Sequence, residues 1–292
     1  HLLQDPEMKF HFIAEHQKEF AVGQMAELLR VSRSGFYAWA AREPSQRAQE
    51  DDRIVEQIRG IQEEVKFRYG SPRITAELAR EGLSVGHNRV ARLMSEHELG
   101  ARPAKKYRGT TDSSHQEPVA ENLLNRQFQV AEPNKVWAGD IIYLPTAEGW
   151  MYLAVVLDLH SRAVVGWALS TTLHTGVVLE ALMMAMIRRR PAKGLLFHSD
   201  RGAQYCSGDF RNAAAQHGLI QSMSRKGNCW DNSVVESFFK TLKQELLQGK
   251  AFTTREEARR RIFEYIEVFY NRVRLHSSLG YCSPAEYERK AA

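Results

Sequence analysis

The sequence predicts an α/β protein, a mixed-sheet core preceded by all-α segments. Three observations carry that reading. Near Lys135 the texture turns from helical to β-rich, because VWAGDIIYL and WMYLAVVLDL concentrate β-branched and aromatic residues. The length of 292 residues suggests about two domains at ~150 residues each. A composition of 43% hydrophobic and 26% charged residues excludes a mainly disordered chain.

Taken in order, residues 22–40 read VGQMAELLRVSRSGFYAWA. Met25, Leu28 and Leu29 share a helical face, residues 30–32 break the pattern, and Ser32 can cap a second short helix carrying Phe36 and Trp39. This pair is either a helix-turn-helix whose Arg33, Ser34 and Tyr37 enter a major groove, or a plain helical hairpin. Residues 44–49 are polar and read as a linker. Residues 53–67 form a helix with Ile54, Ile58, Ile61 and Val65 at three-to-four spacing. Pro72 starts the next helix, with Ile74 and Leu78 facing inward, and Gly82 ends it. Ser84 is a plausible cap for a third helix bearing Val90, Leu93 and Met94. A basic, aperiodic stretch follows, in which Lys105, Lys106 and Arg108 are available to track phosphates or simply solvate a hinge.

In the β-rich part, the turn-prone PTAEG separates two strands into a hairpin, and AVVGWAL adds a third after DLHSR. HTGVVLEALMMAMIRRR is a helix, LLFHSD a short buried strand, GDFRNAAAQHG a helix and LIQSM another strand. DNSVVESFFKTLKQELLQG is a long amphipathic helix. This order matches the ribonuclease-H-like layout. A last helix, EEARRRIFEYIEVFYNRVR, runs into a loop-rich tail.

Three carboxylates stand out in this layout. Phosphoryl transfer on nucleic acid commonly uses two magnesium ions held by about three acids from different elements. Asp140 interrupts an apolar strand, where an uncompensated carboxylate costs several kcal/mol. Asp200 closes the buried strand LLFHS, a placement typical of a ligand at a sheet's carboxyl end. Glu236 sits mid-helix among Val234, Val235, Phe238 and Phe239 and is expected to border the core, with Lys240 and Lys243 one and two turns on. The spacing of Asp200 and Glu236 proves nothing alone, since four Asp–Glu pairs share that offset. Context removes the others: Asp112 in a linker and Glu148 in a turn, Asp209 and Glu245 at solvated helix positions, Asp231 as a helix cap and Glu267 in the separate last helix. Asp158 reads as a turn residue. His198 and Ser199 lack the nucleophile elbow that acyl chemistry needs.

Charge and cysteine usage narrow the partners. The net charge is +5, and the excess lies in residues 53–110, where 12 Lys/Arg face 7 Asp/Glu. A basic helical module beside a nearly balanced one is the layout of a DNA-binding enzyme. The three cysteines, Cys206, Cys229 and Cys282, lie too far apart for a zinc finger and argue against a disulfide scaffold, which suits a reducing cytosol. No apolar run approaches the ~18 residues of a membrane span.

Five blocks, VWAGDIIYLP, VLDLHSRAVVGWAL, FHSDRGAQY, DNSVVESFFKTLKQELL and YNRVRLHSSLGYCSPAEYE, resemble in order and spacing those of the second-frame (OrfB) transposases of the IS-three group of bacterial insertion sequences, relatives of retroviral integrases. The resemblance runs over roughly residues 8–290 and includes YGSPRI. It implies an integrase core of ribonuclease-H fold with an Asp-Asp-Glu triad at Asp140, Asp200 and Glu236, and a basic residue at Lys243. The implied organisation is an N-terminal helix-turn-helix-like segment (1–48), a helix-turn-helix-like DNA-binding domain (49–110), a linker (111–132), the catalytic core (133–250), and a C-terminal helix and tail (251–292). No zinc module precedes the core; helical units replace it.

The implied chemistry is in-line attack on a phosphodiester at the element's ends by water and then by a DNA 3′-hydroxyl. The implied cofactor is two magnesium ions, with manganese as a substitute. The implied partners are the terminal repeats and target DNA as duplexes, a first-frame (OrfA) protein or fusion, and further copies of the chain on DNA, with no membrane. Location would be cytoplasmic, with the nucleoid. A start at His1 is compatible with a piece of such a fusion. DNA contacts are expected at Arg33, Ser34, Arg73, Lys105, Lys106, Lys240 and Lys243. Two other readings remain: a DNA-binding regulator or inhibitor with an inert core, and a ribonuclease-H-type nuclease without strand transfer.

Overall fold

The computed structural model describes residues 5–43, 45–101, 117–226 and 228–291. The chain divides into two compact units, 1–59 and 60–292. The first holds α1 (Pro6–His16), α2 (Val22–Leu28) and α3 (Arg33–Ala40), with Ile13, Met25, Ala26 and Phe36 as its core. Asp5 caps α1 through the Glu7 N–H, and Ser32 caps α3 through the Gly35 N–H at 3.2 Å, as its position predicts. Leu28 departs from the expected buried face and is 83% exposed, because α2 has only seven residues and turns Met25 inward instead.

The helix α4 (Gln46–Glu64) spans the division between the units. It begins inside the stretch read as a linker, since Gln46–Gln49 carry no helix breaker. In the second unit follow α5 (Ser71–Arg80), opened by Pro72, and α6 (His87–Glu96). Ile74, Leu78, Val90, Leu93 and Met94 are buried as the spacing predicts. Gly82 ends α5 at φ +87°, a left-handed backbone that glycine adopts without strain. Gly86 rather than Ser84 stands at the start of α6, without a side-chain cap. Gln62 is buried and donates to the carbonyls of Tyr69 and Leu99, which ties this helical segment together.

The core sheet contains β1 (Val136–Thr146), β2 (Gly149–Asp158), β3 (Val164–Ser170), β4 (Leu196–Ser199) and β5 (Ile220–Met223) in the order β3-β2-β1-β4-β5. The first three strands pair antiparallel, and β4 and β5 add in parallel. The parallel connections run through α7 (Thr175–Arg189), then α8 (Ala203–Cys206) and α9 (Gly208–Gln216). This is the mixed sheet, flanked by helices, that the element order predicts. Gly166 lets α7 lie directly on β3, because a Cβ there would stand 2.1 Å from the Ala181 carbonyl oxygen.

A short 3-10 turn (Cys229–Asn232) leads into α10 (Ser233–Leu242), which continues as a π-helical turn, Lys243–Leu247. Similarly, α11 (Arg255–Phe263) continues as a π-helical segment, Glu264–Tyr270. The tail is more ordered than a loop: it ends in α12 (Pro284–Ala291), where Pro284 stands at the first turn and Glu286 pairs with Lys290 at 3.0 Å.

Candidate active site

The parallel pairing of β1 with β4 sets Gly139 opposite Ser199. The next residue after each is an aspartate, Asp140 within β1 and Asp200 just past the end of β4, so the two arrive side by side. The Ile141 N–H donates to Asp140 Oδ1 at 2.7 Å, and the Gly202 N–H donates to Asp200 Oδ1 at 2.9 Å. Burial, and next the Asp200 carboxylate, hold the Asp140 carboxyl well above the usual carboxylate range; Glu236 adds to this, while the Ile141 amide and Lys243 oppose it. Tyr205 is buried beside the pair. Its phenol is pushed well up by burial and by both aspartates, so it stays protonated. Gly139 leaves the room this packing needs: a Cβ there would lie 2.7 Å from Phe197 Cζ and 3.1 Å from Tyr205 Oη.

Glu236 lies in the first turn of α10, and the core side of that helix is filled by Val235, Phe238, Phe239 and Leu242. Contrary to the expectation that it borders the core, its side is exposed. Partial burial still raises its carboxyl. Among the described residues no three Asp, Glu, His or Cys side chains converge closely enough to ligate one ion. The two aspartates are together, and Glu236 acts on Asp140 across space.

The basic residues separate into three groups. Lys243 is half-buried near Asp140; burial lowers its amine, and Asp140 opposes that. Lys240 is exposed on α10. Arg33 and Ser34 are exposed at the start of α3, where Ser34 Oγ lies 2.8 Å from Ser32 Oγ and the Arg33 guanidinium stands 5.9 Å from the Tyr37 ring centroid. Arg73 does not extend from a free helix surface: its Nε donates to the Leu275 carbonyl at 2.8 Å and its guanidinium stands 5.7 Å from the Tyr69 ring centroid. Lys105 and Lys106 lie outside the described residues, as does Arg108.

His198 belongs to the fold and not to nucleophilic chemistry. It is buried between the hydroxyls of Ser222 at 2.9 Å and Ser224 at 3.3 Å, and burial pushes it down to about 4. Asp158 does make a turn, accepting from the Asn134 and His160 N–H groups, yet it is fully buried.

Two acids set aside in the sequence carry structure. Asp231 is not an open helix cap: it is fully buried, and Arg225, Arg126 and Asn122 all donate to it, with Arg225 first in holding its carboxyl well below the usual range. It fixes the turn from which α10 starts. Glu245 is buried rather than solvated, accepting from Arg274 Nη2 at 2.7 Å and from Tyr265 Oη at 2.9 Å. Its signal was present in the sequence, since position 245 lies seven residues beyond Phe238 and so on the same helical face.

The protein families that the chain matches agree with this architecture. An integrase core domain model matches residues 130–229, a second integrase core domain model matches 236–291, and an HTH-like domain model matches 49–107. The chain is 46% identical over 266 residues to the insertion element IS600 uncharacterized 31 kDa protein of Shigella sonnei, covering 91% of this chain and 98% of that protein. It is 44% identical over 285 residues to the transposase InsF for insertion sequence IS3A of Escherichia coli (strain K12), covering 97% and 99%. Among solved structures, the simian T-cell lymphotropic virus intasome in complex with PP2A regulatory subunit B56 gamma matches 75% of this chain and 70% of its own, at 14% identity and a TM-score of 0.46. The HTLV-2 integrase catalytic core domain in complex with magnesium matches 53% of this chain and 97% of its own, at 16% identity and a TM-score of 0.41.

Proposed function

The chain belongs to the IS3-family insertion-sequence transposases with an integrase core, and on that footing we propose that Asp140, Asp200 and Glu236 are the carboxylates at which it cleaves and joins DNA. The protein is a DNA transposase, a polynucleotidyl transferase in class. The observation that carries the assignment of its centre is the placement of Asp140 beside Asp200, with the Asp140 carboxyl held well above the usual range by burial and by its neighbour's charge.

That electrostatic state fits a divalent cation. The donors are hard carboxylate oxygens, and two acids repel each other with one lysine nearby to offset them. Asp140 and Asp200 would hold the ion, two ions being the reading taken from the family resemblance, and Glu236 has to approach to complete the set. When bound, magnesium or manganese would supply Lewis acidity at the phosphodiester and acidify the attacking hydroxyl.

The chain's own residues do the rest. Tyr205 and Gly139 hold the two acids in one place by close packing. The Ile141 and Gly202 amides orient the carboxylates. Lys243, beside Asp140, is positioned to hold a phosphate next to the acids, and Lys240 extends the same line outward. The turn anchored by Asp231 sets where α10 begins and so where Glu236 stands.

The duplex ends and the target are the DNA partners in this reading. A first-frame protein and further copies of the chain complete the assembly, acting on the nucleoid in the cytoplasm. The test is a strand-transfer assay on labelled DNA carrying the element's ends, comparing wild type with Glu236→Gln and Asp200→Asn. Removing one carboxylate should cut cleavage and joining at least a hundredfold while leaving DNA affinity nearly intact. Equal activity in Glu236→Gln would sink the triad assignment, and cleavage without joining by wild type would favour a nuclease.

A further inference from the structure

A cavity of about 370 Å³ opens on the face of α10 that turns away from Glu236. Its wall contains three guanidinium groups, Arg73 from α5, Arg162 from the turn between β2 and β3, and Arg274 from the C-terminal segment. The hydroxyls of Ser233, Ser237 and Thr241 line it at four-residue spacing along α10. No carboxylate lines it among the described residues.

Each arginine is fixed from behind by an oxygen of the chain. Arg73 Nε donates to the Leu275 carbonyl, Arg162 Nη2 to the Phe128 carbonyl at 2.9 Å, and Arg274 to Glu245 through Nε and Nη2. Glu245 serves both Arg274, at 2.7 Å, and Arg73, at 3.9 Å, and Asp158 acts on Arg162, so two carboxylates stand against three guanidiniums. Arg162 is on the wall, and its Nη1 is buried with no hydrogen-bond partner among the described residues, so the chain leaves this guanidinium incompletely satisfied. Arg162 also holds a left-handed backbone, at φ +62°, to reach this position. His276, also on the wall, reports the same field: burial first, and then Arg274, Arg73 and Arg162, push its imidazole down to about 2.

Converging, pre-oriented guanidiniums with adjacent hydroxyls are chemistry for a phosphate, since the forked donors match its oxygens. We propose that this cavity is a phosphate-binding pocket that holds a DNA phosphodiester on the opposite side of α10 from Glu236. The placement gives Arg73 a DNA contact through the pocket, not through the surface of its own helix. A helix is roughly 10 Å across, so the strand gripped here is held within a few nucleotides of the reacting phosphate. The proposal rests on the transposase reading for the source of the phosphate, and it does not depend on the carboxylate triad.

The test measures binding in EDTA on a Glu236→Gln background, so no chemistry is read. Ser237 is exposed, so Ser237→Glu places a carboxylate in the pocket mouth without disturbing the core; Arg162→Gln removes the unpartnered donor. The first probe is a short random-sequence duplex, titrated across salt. Both variants should bind about tenfold more weakly, with the slope of log affinity against log salt shallower by about 0.9, one phosphate contact. If Arg162→Gln does not fold, Ser237→Glu decides alone. A slope that coincides with the background's overturns the proposal.

The second probe is inorganic phosphate, read as thermal stabilisation. Stabilisation lost in Ser237→Glu together with the slope change supports the pocket. Stabilisation lost without any slope change assigns the pocket to a free anion and overturns its DNA source. Cleavage by Glu236→Gln would sink the triad and leave this result standing.

Discussion

Asp140 and Asp200 each stand one residue beyond Gly139 and Ser199, the last paired positions of the parallel ladder between β1 and β4. Two acids from strands 60 positions apart in the chain are therefore neighbours by register alone. Because the folded state raises the Asp140 carboxyl above its unfolded value of about 3.9, the folded chain holds more protons between the two values, and stability falls as pH rises through that window. Asp140→Asn removes this loss. In metal-free buffer the variant should melt a few degrees higher than wild type near neutral pH, and the two curves should converge in acid. A wild type that melts higher at neutral pH would contradict the raised carboxyl.

The same repulsion makes ion binding visible without catalysis. Magnesium or manganese at about 100 times its dissociation constant should stabilise the wild type by about 2.7 kcal/mol, because it binds the folded state. Asp200→Asn breaks the pair and should lose most of that gain. Calorimetric melts with and without the ion check this, and equal stabilisation of both proteins would move the ion elsewhere.

How far the sequence reaches is clearest at these residues. The strands and helices of the core follow from apolar periodicity, and with them the elements on which Asp140, Asp200 and Glu236 stand. What periodicity does not carry is the side a helix presents once its ends are fixed. Glu236 faces outward because Val235 and Phe239 take the core side, whereas the seven-residue step from Phe238 does bring Glu245 inward, within the π-helical turn Lys243–Leu247. Asp231 was hidden for another reason: its partners Asn122, Arg126 and Arg225 are not local to one periodic segment. Leu28 shows the limit in the other direction, since a short helix buries fewer positions than its pattern offers.

Lys243 couples the acids to the phosphate path, since its half-buried amine lies in the field of Asp140. Lys243→Ala should weaken DNA binding and reduce the salt slope by about 0.9, one phosphate contact. It should also raise the Asp140 carboxyl further, because a cation that opposes protonation is gone. Salt-dependent affinity and carboxyl-carbon NMR titration read the two effects separately. A slope equal to wild type would remove Lys243 from the DNA path.

Glu245 and Arg274 join α10's π-helical turn to the C-terminal segment through a buried, doubly bonded ion pair. Both side chains are about 5% exposed, so neither charge can return to water when its partner is lost. Arg274→Ala should therefore cost about 3–5 kcal/mol, most of it the penalty of a buried Glu245 carboxylate left with the Tyr265 hydroxyl and, at 3.9 Å, the more distant Arg73 Nη1. Arg274→Ala combined with Glu245→Gln should recover part of that loss, since the stranded charge is gone while the amide still accepts from Tyr265. Denaturant melts of the two single variants and the double measure the coupling. If the double variant is no more stable than Arg274→Ala, the loss comes from packing of the arginine and not from an unpaired charge.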